Sequence, residues 1–155
     1  MMLANLLSES QIIPEMKSLE RWDAITEMVD CLVEAGKIDI QDKAEVVASI
    51  RQREETMSTG IGFGIAIPHA SSAKVNEVVA AFGHSTGGVA FESLDGLPVH
   101  LIVLFVVPKD QFQTHLRTLA AIAKFLNDKA VRDELAKATD AASVLRVFEN
   151  RSGRN

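Results

Sequence analysis

The amino-acid sequence predicts an α/β layer fold: a single domain with a small mixed β-sheet flanked by helices on both sides. Three observations predict it. Apolar residues recur at helical spacing from Trp22 to Ile50. Apolar and β-branched runs bounded by glycine and proline occupy the middle of the chain. Helical spacing then returns from Leu116 to Phe148. With 155 residues, 47% of them hydrophobic and 24% charged, the chain has material for a sizeable core. One domain is expected over residues 1–150, with 151–155 a frayed tail.

The elements follow in order. Ile12-Ile13 before Pro14 reads as an edge strand, and Ser18 as the N-cap of a first helix. That helix carries Trp22, Ile25, Val29, Leu32 and Val33 and stops at Gly36. Asp39 caps a second helix, with Ile40, Ala44, Val47 and Ile50 on one face. The two helices make a helical hairpin.

Next comes Thr59-Gly60-Ile61-Gly62-Phe63-Gly64-Ile65-Ala66-Ile67-Pro68-His69. The glycines permit tight turns and close backbone approach. Ile65 to Ile67 reads as a short buried strand, ended by Pro68, which has no N–H for a ladder. His69 then falls where a strand stops and a loop begins, the end of an α/β sheet where ligands gather. Ser71 to Lys74 reads as loop, Val78 to Phe82 as a strand, and both Thr86 to Val89 and Leu94 to Pro98 as turns. Val99 to Val107 is apolar at nearly every residue, the mark of a central strand covered on both faces and ended by Pro108. Three helices close the chain: one from His115 through Leu126, one with Val131 and Leu135, and one capped by Asp140.

Composition narrows the function. The formal net charge is −5 with no basic stripe, so no nucleic-acid partner is expected. The longest purely apolar run, Leu101 to Val107, is too short to cross a bilayer, so no direct membrane insertion is expected. No basic segment precedes an apolar one between Met1 and Ser10, and the lone Cys31 suits a reducing compartment; a cytoplasmic location is expected. No histidine has a partner at zinc-ligand spacing, so no metal and no cofactor are expected. Neither a phosphate-binding P-loop nor a nucleophile elbow is present.

His84 reads as a polar strand end and His100 as a hydrogen-bonded structural histidine. His115 opens a helix a short loop beyond the central strand, so it can reach the sheet edge where His69 lies.

Arg53-Glu54, the run from Thr59 to His69, Phe91-Glu92-Ser93-Leu94-Asp95-Gly96-Leu97-Pro98-Val99 and His115-Leu116 with Leu119-Ala120 together carry a resemblance. The chain resembles the enzyme IIA domains of the bacterial phosphotransferase system, in the fructose/mannitol class that includes nitrogen-regulatory proteins. The likeness runs from about Leu6 to Phe148. It implies that His69 is transiently phosphorylated, taking the group from the phosphorylated histidine-containing carrier protein and passing it to an enzyme IIB partner or using it as a regulatory signal. It implies that His115 is the second active-site histidine and Arg53 the active-site arginine. The alternative is a purely regulatory protein-binding module with no role in sugar transport.

The chemistry suits these residue types. A neutral imidazole is nucleophilic near pH 7, and phosphoryl transfer needs positioning and charge neutralisation above all. Arg53 offers paired donors. The Thr59 hydroxyl and the Gly60 amide are expected to add others. Ile61 and Phe63 are assigned either to a partner-docking surface or to the core.

Overall fold

The computed structural model describes residues 3–151. It is an open, mixed six-stranded sheet with helices on both faces, as the sequence predicts. Strand β1 (Ile12–Ile13) is followed by helices α1 (Arg21–Glu34) and α2 (Lys43–Thr56). Strands β2 (Gly60–Gly62), β3 (Ile65–Ala66), β4 (His69–Ser72), β5 (Val79–Val89) and β6 (Val99–Pro108) come next. Helices α3 (Leu116–Asn127), α4 (Lys129–Lys137) and α5 (Ala141–Arg151) complete the chain. The sheet order is β1-β5-β6-β3-β2, with β4 also paired to β6. β5 runs antiparallel to β6, whereas β3 and β4 run parallel to it.

The buried run in β6 explains the layering. Side chains alternate across a strand, and here both sides are apolar. Ile102, Leu104 and Val106 enter a core with Ile25, Met28 and Leu32 of α1 and Val46 and Ile50 of α2. Leu101, Val103, Phe105 and Val107 enter a second core with Ile122 and Leu126 of α3, Leu135 of α4 and Phe148 of α5.

Several local expectations are corrected. The N-cap of α1 is Glu20, whose carboxylate accepts from the N–H groups of Trp22 and Asp23 at 3.1 and 2.6 Å. The Ser18 hydroxyl instead donates to Glu27 at 2.6 Å. The buried face of α2 is Val46, Ile50 and Glu54; Ile40 is exposed, as is Ala44, because Asp39 caps a separate 3-10 turn over Ile40–Asp42 that turns Ile40 outward.

Thr86 to Val89 is no turn but the end of β5. Five residue steps from His84 to Val89 face two steps on β6 from Leu101 to Val99, so the glycines absorb a bulge. His84 lies inside that strand, with Nδ1 at 3.1 Å from the Pro14 carbonyl. His100 is hydrogen-bonded as expected, Nδ1 to the Ser85 carbonyl at 2.8 Å. Arg151, assigned to a frayed tail, is the last residue of α5 and pairs with Glu134; residues 152–155 of that tail lie outside the described residues.

Candidate functional site

His69 is set in place by a jog in the chain. After β3 the Ile67 N–H turns away from β6 and donates to the Thr59 carbonyl at 3.1 Å. Pro68 has no N–H to lose, and its carbonyl accepts from Phe105 at 3.0 Å. The chain thereby rejoins the edge of β6 it had just left, and His69 opens β4 opposite Phe105. A loop was expected from this point; the parallel pairing of His69 to Ser72 with Phe105 to Pro108 makes it a strand instead.

His69 is 7% exposed and fronts a cleft of about 370 Å³. Gln52, Arg53 and Thr56 of α2 form one wall, Ser71 of β4 also lines the cleft, and Phe112 closes the side formed by the loop after β6. The Phe112 ring stacks on His69 with centroids 6.1 Å apart and planes 18° apart. Nδ1 of His69 lies 2.9 Å from the Ile67 carbonyl oxygen. A carbonyl only accepts, so Nδ1 carries the proton of the neutral ring and Nε2 keeps a bare lone pair. Burial pushes the pKa of His69 below the usual histidine value; the Ile67 carbonyl opposes this, the Arg53 charge adds to it, and the Glu54 charge opposes it. Burial, the largest of these causes, thus favours the uncharged ring.

Arg53 lies in the last turn of α2, and its Nη1 donates to the Met57 carbonyl at 2.8 Å. Among the described residues it has no carboxylate partner, and it lines the cleft with His69. His115 precedes α3, and its N–H is held by the carbonyls of Gln111 and Phe112, both at 3.1 Å. Its ring meets Phe105 edge-on, with centroids 6.2 Å apart and planes at 75°. Phe105 is thus shared: it pairs with His69 along the sheet and packs against His115. Arg53, His69 and His115 belong to one neighbourhood at the carboxyl end of β6.

The other expected residues lie elsewhere. The Thr59 hydroxyl and N–H donate to Glu54 at 2.6 and 2.8 Å, and the Gly60 N–H donates to the Ser58 hydroxyl at 3.1 Å. These donors are engaged at the start of the β2–β3 hairpin. Gly60 is a glycine for a different reason: a Cβ there would collide with Ser93.

Ile61 and Phe63 are 41% and 68% exposed, so they do not belong to the core. Gly62, Phe63 and Gly64 all take positive φ at the hairpin tip, where the Phe63 ring lies under the Arg132 guanidinium at 5.2 Å. Ile65 of that hairpin pairs at the level of Leu101 while His69 pairs at Phe105. Four residue steps, roughly 13 Å at the usual strand rise, thus separate Ile65 from His69 along β6. Sequence reasoning missed Phe112, whose signal is a lone aromatic in the polar stretch Lys109 to Thr114 ahead of His115. It also missed the buried partner set of Glu54.

Among the described residues no group of three or more histidine, cysteine, aspartate or glutamate side chains is arranged to hold a metal. Nor is any helix of those residues long and apolar enough to cross a membrane. Cys31 is half-buried, and its thiol is pushed up to about 11, chiefly by burial.

The fold is a mixed sheet sandwiched by helices, and its site sets an imidazole with Nδ1 held by a backbone carbonyl in a cleft shared with an arginine. The chain belongs to the phosphoenolpyruvate-dependent sugar phosphotransferase system EIIA 2 family, whose model matches residues 5–151. It is 37% identical over 148 residues to the PTS system fructose-specific EIIABC component of Bacillus subtilis (strain 168). That match covers 96% of this chain but only 23% of the larger protein. It is 30% identical over 148 residues to the nitrogen regulatory protein of Bradyrhizobium diazoefficiens, covering 96% of this chain and 95% of that one. In three dimensions it is similar to the nitrogen regulatory protein IIA-Ntr of Neisseria meningitidis, with a TM-score of 0.85, 28% identity, and 96% and 99% of the two chains covered.

Proposed function

We propose that this chain is a phosphohistidine carrier. His69 takes a phosphoryl group from the phosphorylated histidine-containing carrier protein and hands it to an enzyme IIB partner or to a regulatory circuit. The observation that carries this reading is the His69 ring itself: neutral, with Nδ1 committed to the Ile67 carbonyl, at the wall of a cleft shared with Arg53.

The step balances simply. The Nε2 lone pair forms the new P–N bond. The P–N bond to the donor imidazole breaks, and its electron pair returns to the donor nitrogen. The Nδ1 proton stays in place, so the phosphorylated ring becomes cationic, and the Ile67 carbonyl stabilises that charge. Arg53 supplies N–H donors and positive charge to the phosphoryl oxygens. His115, fixed by Phe105 and the start of α3, supplies a further donor. The reverse sequence releases the group to the acceptor. No metal takes part in this scheme.

The likeness to two nitrogen regulatory proteins over nearly their full lengths favours a second reading, in which the phosphorylation state of His69 sets affinity for a regulatory target and no sugar moves. Incubation with phosphoenolpyruvate, enzyme I and the carrier protein tests the shared chemistry. An acid-labile phosphoryl adduct is expected on the wild-type chain and not on His69→Ala; uptake by His69→Ala at the wild-type rate would overturn it. Complementation separates the two uses. Restored sugar uptake supports transport, whereas unchanged uptake with phosphorylation-dependent partner binding supports regulation.

A further inference from the structure

Glu54 is an expensive residue to have where it is. Its side chain is fully buried, and a carboxylate in an apolar interior is costly unless every lone pair is answered. Arg53 and Glu54 are successive residues on α2, so they point in different directions: one lines the cleft and the other faces inward.

The Glu54 carboxylate accepts two hydrogen bonds from one residue, the Thr59 N–H at 2.8 Å and the Thr59 hydroxyl at 2.6 Å. Arg21 of α1 stands at 3.7 Å from it and forms its closer ion pair, at 2.7 Å, with Glu92. The path continues from Thr59. Its carbonyl accepts from the Ile67 N–H at 3.1 Å, and the Ile67 carbonyl accepts from Nδ1 of His69 at 2.9 Å. Hydrogen bonds linked through the backbone of Thr59 and Ile67 thus connect the buried end of α2, by way of the 59–67 hairpin, to the His69 ring.

We propose that Glu54 is a positioning residue for His69: by holding both donors of Thr59 it fixes the Ile67 carbonyl that selects the Nδ1–H tautomer. The proposal rests on the carrier reading for its consequence, but the tautomer itself is a property of the unphosphorylated chain. A purely packing role does not need this arrangement. An apolar side chain of similar size would fill the space without a desolvation cost, but it could not pin Thr59 at two points.

The test is ¹⁵N NMR of the His69 ring in the full chain, with phosphoryl uptake measured on the same samples. Wild type is expected to show the Nδ1–H form alone. Glu54→Ala should give a mixture with the Nε2–H form and slow uptake roughly tenfold to a hundredfold, with little change in the apparent affinity for the donor. Glu54→Gln should restore both readouts. Its amide oxygen accepts from the Thr59 N–H, and the Thr59 hydroxyl can turn to accept from its NH₂ group.

A folded Glu54→Ala variant with an unchanged tautomer would overturn the proposal, as would a Glu54→Gln variant no better than Glu54→Ala. Should Glu54→Ala not fold, Thr59→Val removes only the hydroxyl bond; it is expected to shift the tautomer while Thr59→Ser does not, and an unshifted Thr59→Val variant would overturn the proposal. A wild-type chain that takes up no phosphoryl group would refute the carrier reading and leave the tautomer experiment to decide the role of Glu54.

Discussion

Nδ1 of His69 donates to the carbonyl oxygen of Ile67 across 2.9 Å, two residues back along the same chain. This short local bond decides which ring nitrogen carries the proton and which keeps a bare lone pair. It exists because Pro68 makes the chain step off β6 and back on within two residues.

The His69 titration should lie below the ordinary histidine value of roughly 6.5. Burial is the main cause and the Arg53 charge adds to it. The sign for stability follows. Between the lowered folded value and the ordinary unfolded value, the unfolded chain holds a proton that the folded chain does not. This group's contribution is therefore fully present above about pH 6.5 and declines as pH falls towards the folded value. Phosphoryl uptake should be flat around pH 7 and fall on the acid side. A ring titration followed by NMR checks this; a midpoint at or above the ordinary value would contradict it.

Phe112→Ala should raise the His69 titration midpoint towards the ordinary value, because the stacked ring is part of what excludes water. Phe112 is 37% exposed, so the change in stability should stay within about 1 kcal/mol. Uptake should slow by about tenfold or less, through looser positioning of the ring. Parallel pH titration and denaturant melts measure both effects.

His115→Ala should leave the fold intact, since the residue stands ahead of α3 and outside the core. Some phosphoryl acceptance should persist, while onward transfer drops roughly a hundredfold through the loss of one donor to the migrating group. Rapid-quench measurement of the two half-reactions separates them. Equal transfer by wild type and variant would remove His115 from the scheme.

Gly60→Ala should cost about 1–3 kcal/mol, as overpacking does. The added Cβ would lie 2.9 Å from the Ser93 Cα, a backbone atom with little room to move. Urea denaturation gives the number. A variant as stable as wild type would show that the 91–95 segment yields more readily than the packing indicates.

Much of this molecule was legible because its signals are local. The apolar run from Leu101 to Val107 states its own burial on two faces. Pro68 before His69 marks a chain that cannot continue its ladder. What was hidden depends on partners distant in sequence. Ser18 is a good N-cap by type, but Glu27 captures its hydroxyl and Glu20 does the capping. Thr86-Gly87-Gly88 has the composition of a turn, yet pairing of Val89 with Val99 draws it into β5 as a bulge. Thr59 has the residue type of a phosphoryl donor, but its carboxylate partner, five residues back, is buried with it. His69, Arg53 and His115 came from motif; that Phe105 and Phe112 tie His69 and His115 into one neighbourhood is tertiary information.

In the proposed carrier one nitrogen, Nε2 of His69, takes the phosphoryl group while Nδ1 keeps its proton, donated to the Ile67 carbonyl. The most direct measurement is combined ³¹P and ¹⁵N NMR of the chain after reaction with the phosphorylated carrier protein. The expected result is a single phosphoramidate on His69, bonded at Nε2, with the Nδ1–H resonance retained. A phosphoryl group on Nδ1 of His69, or on any other residue, would contradict it.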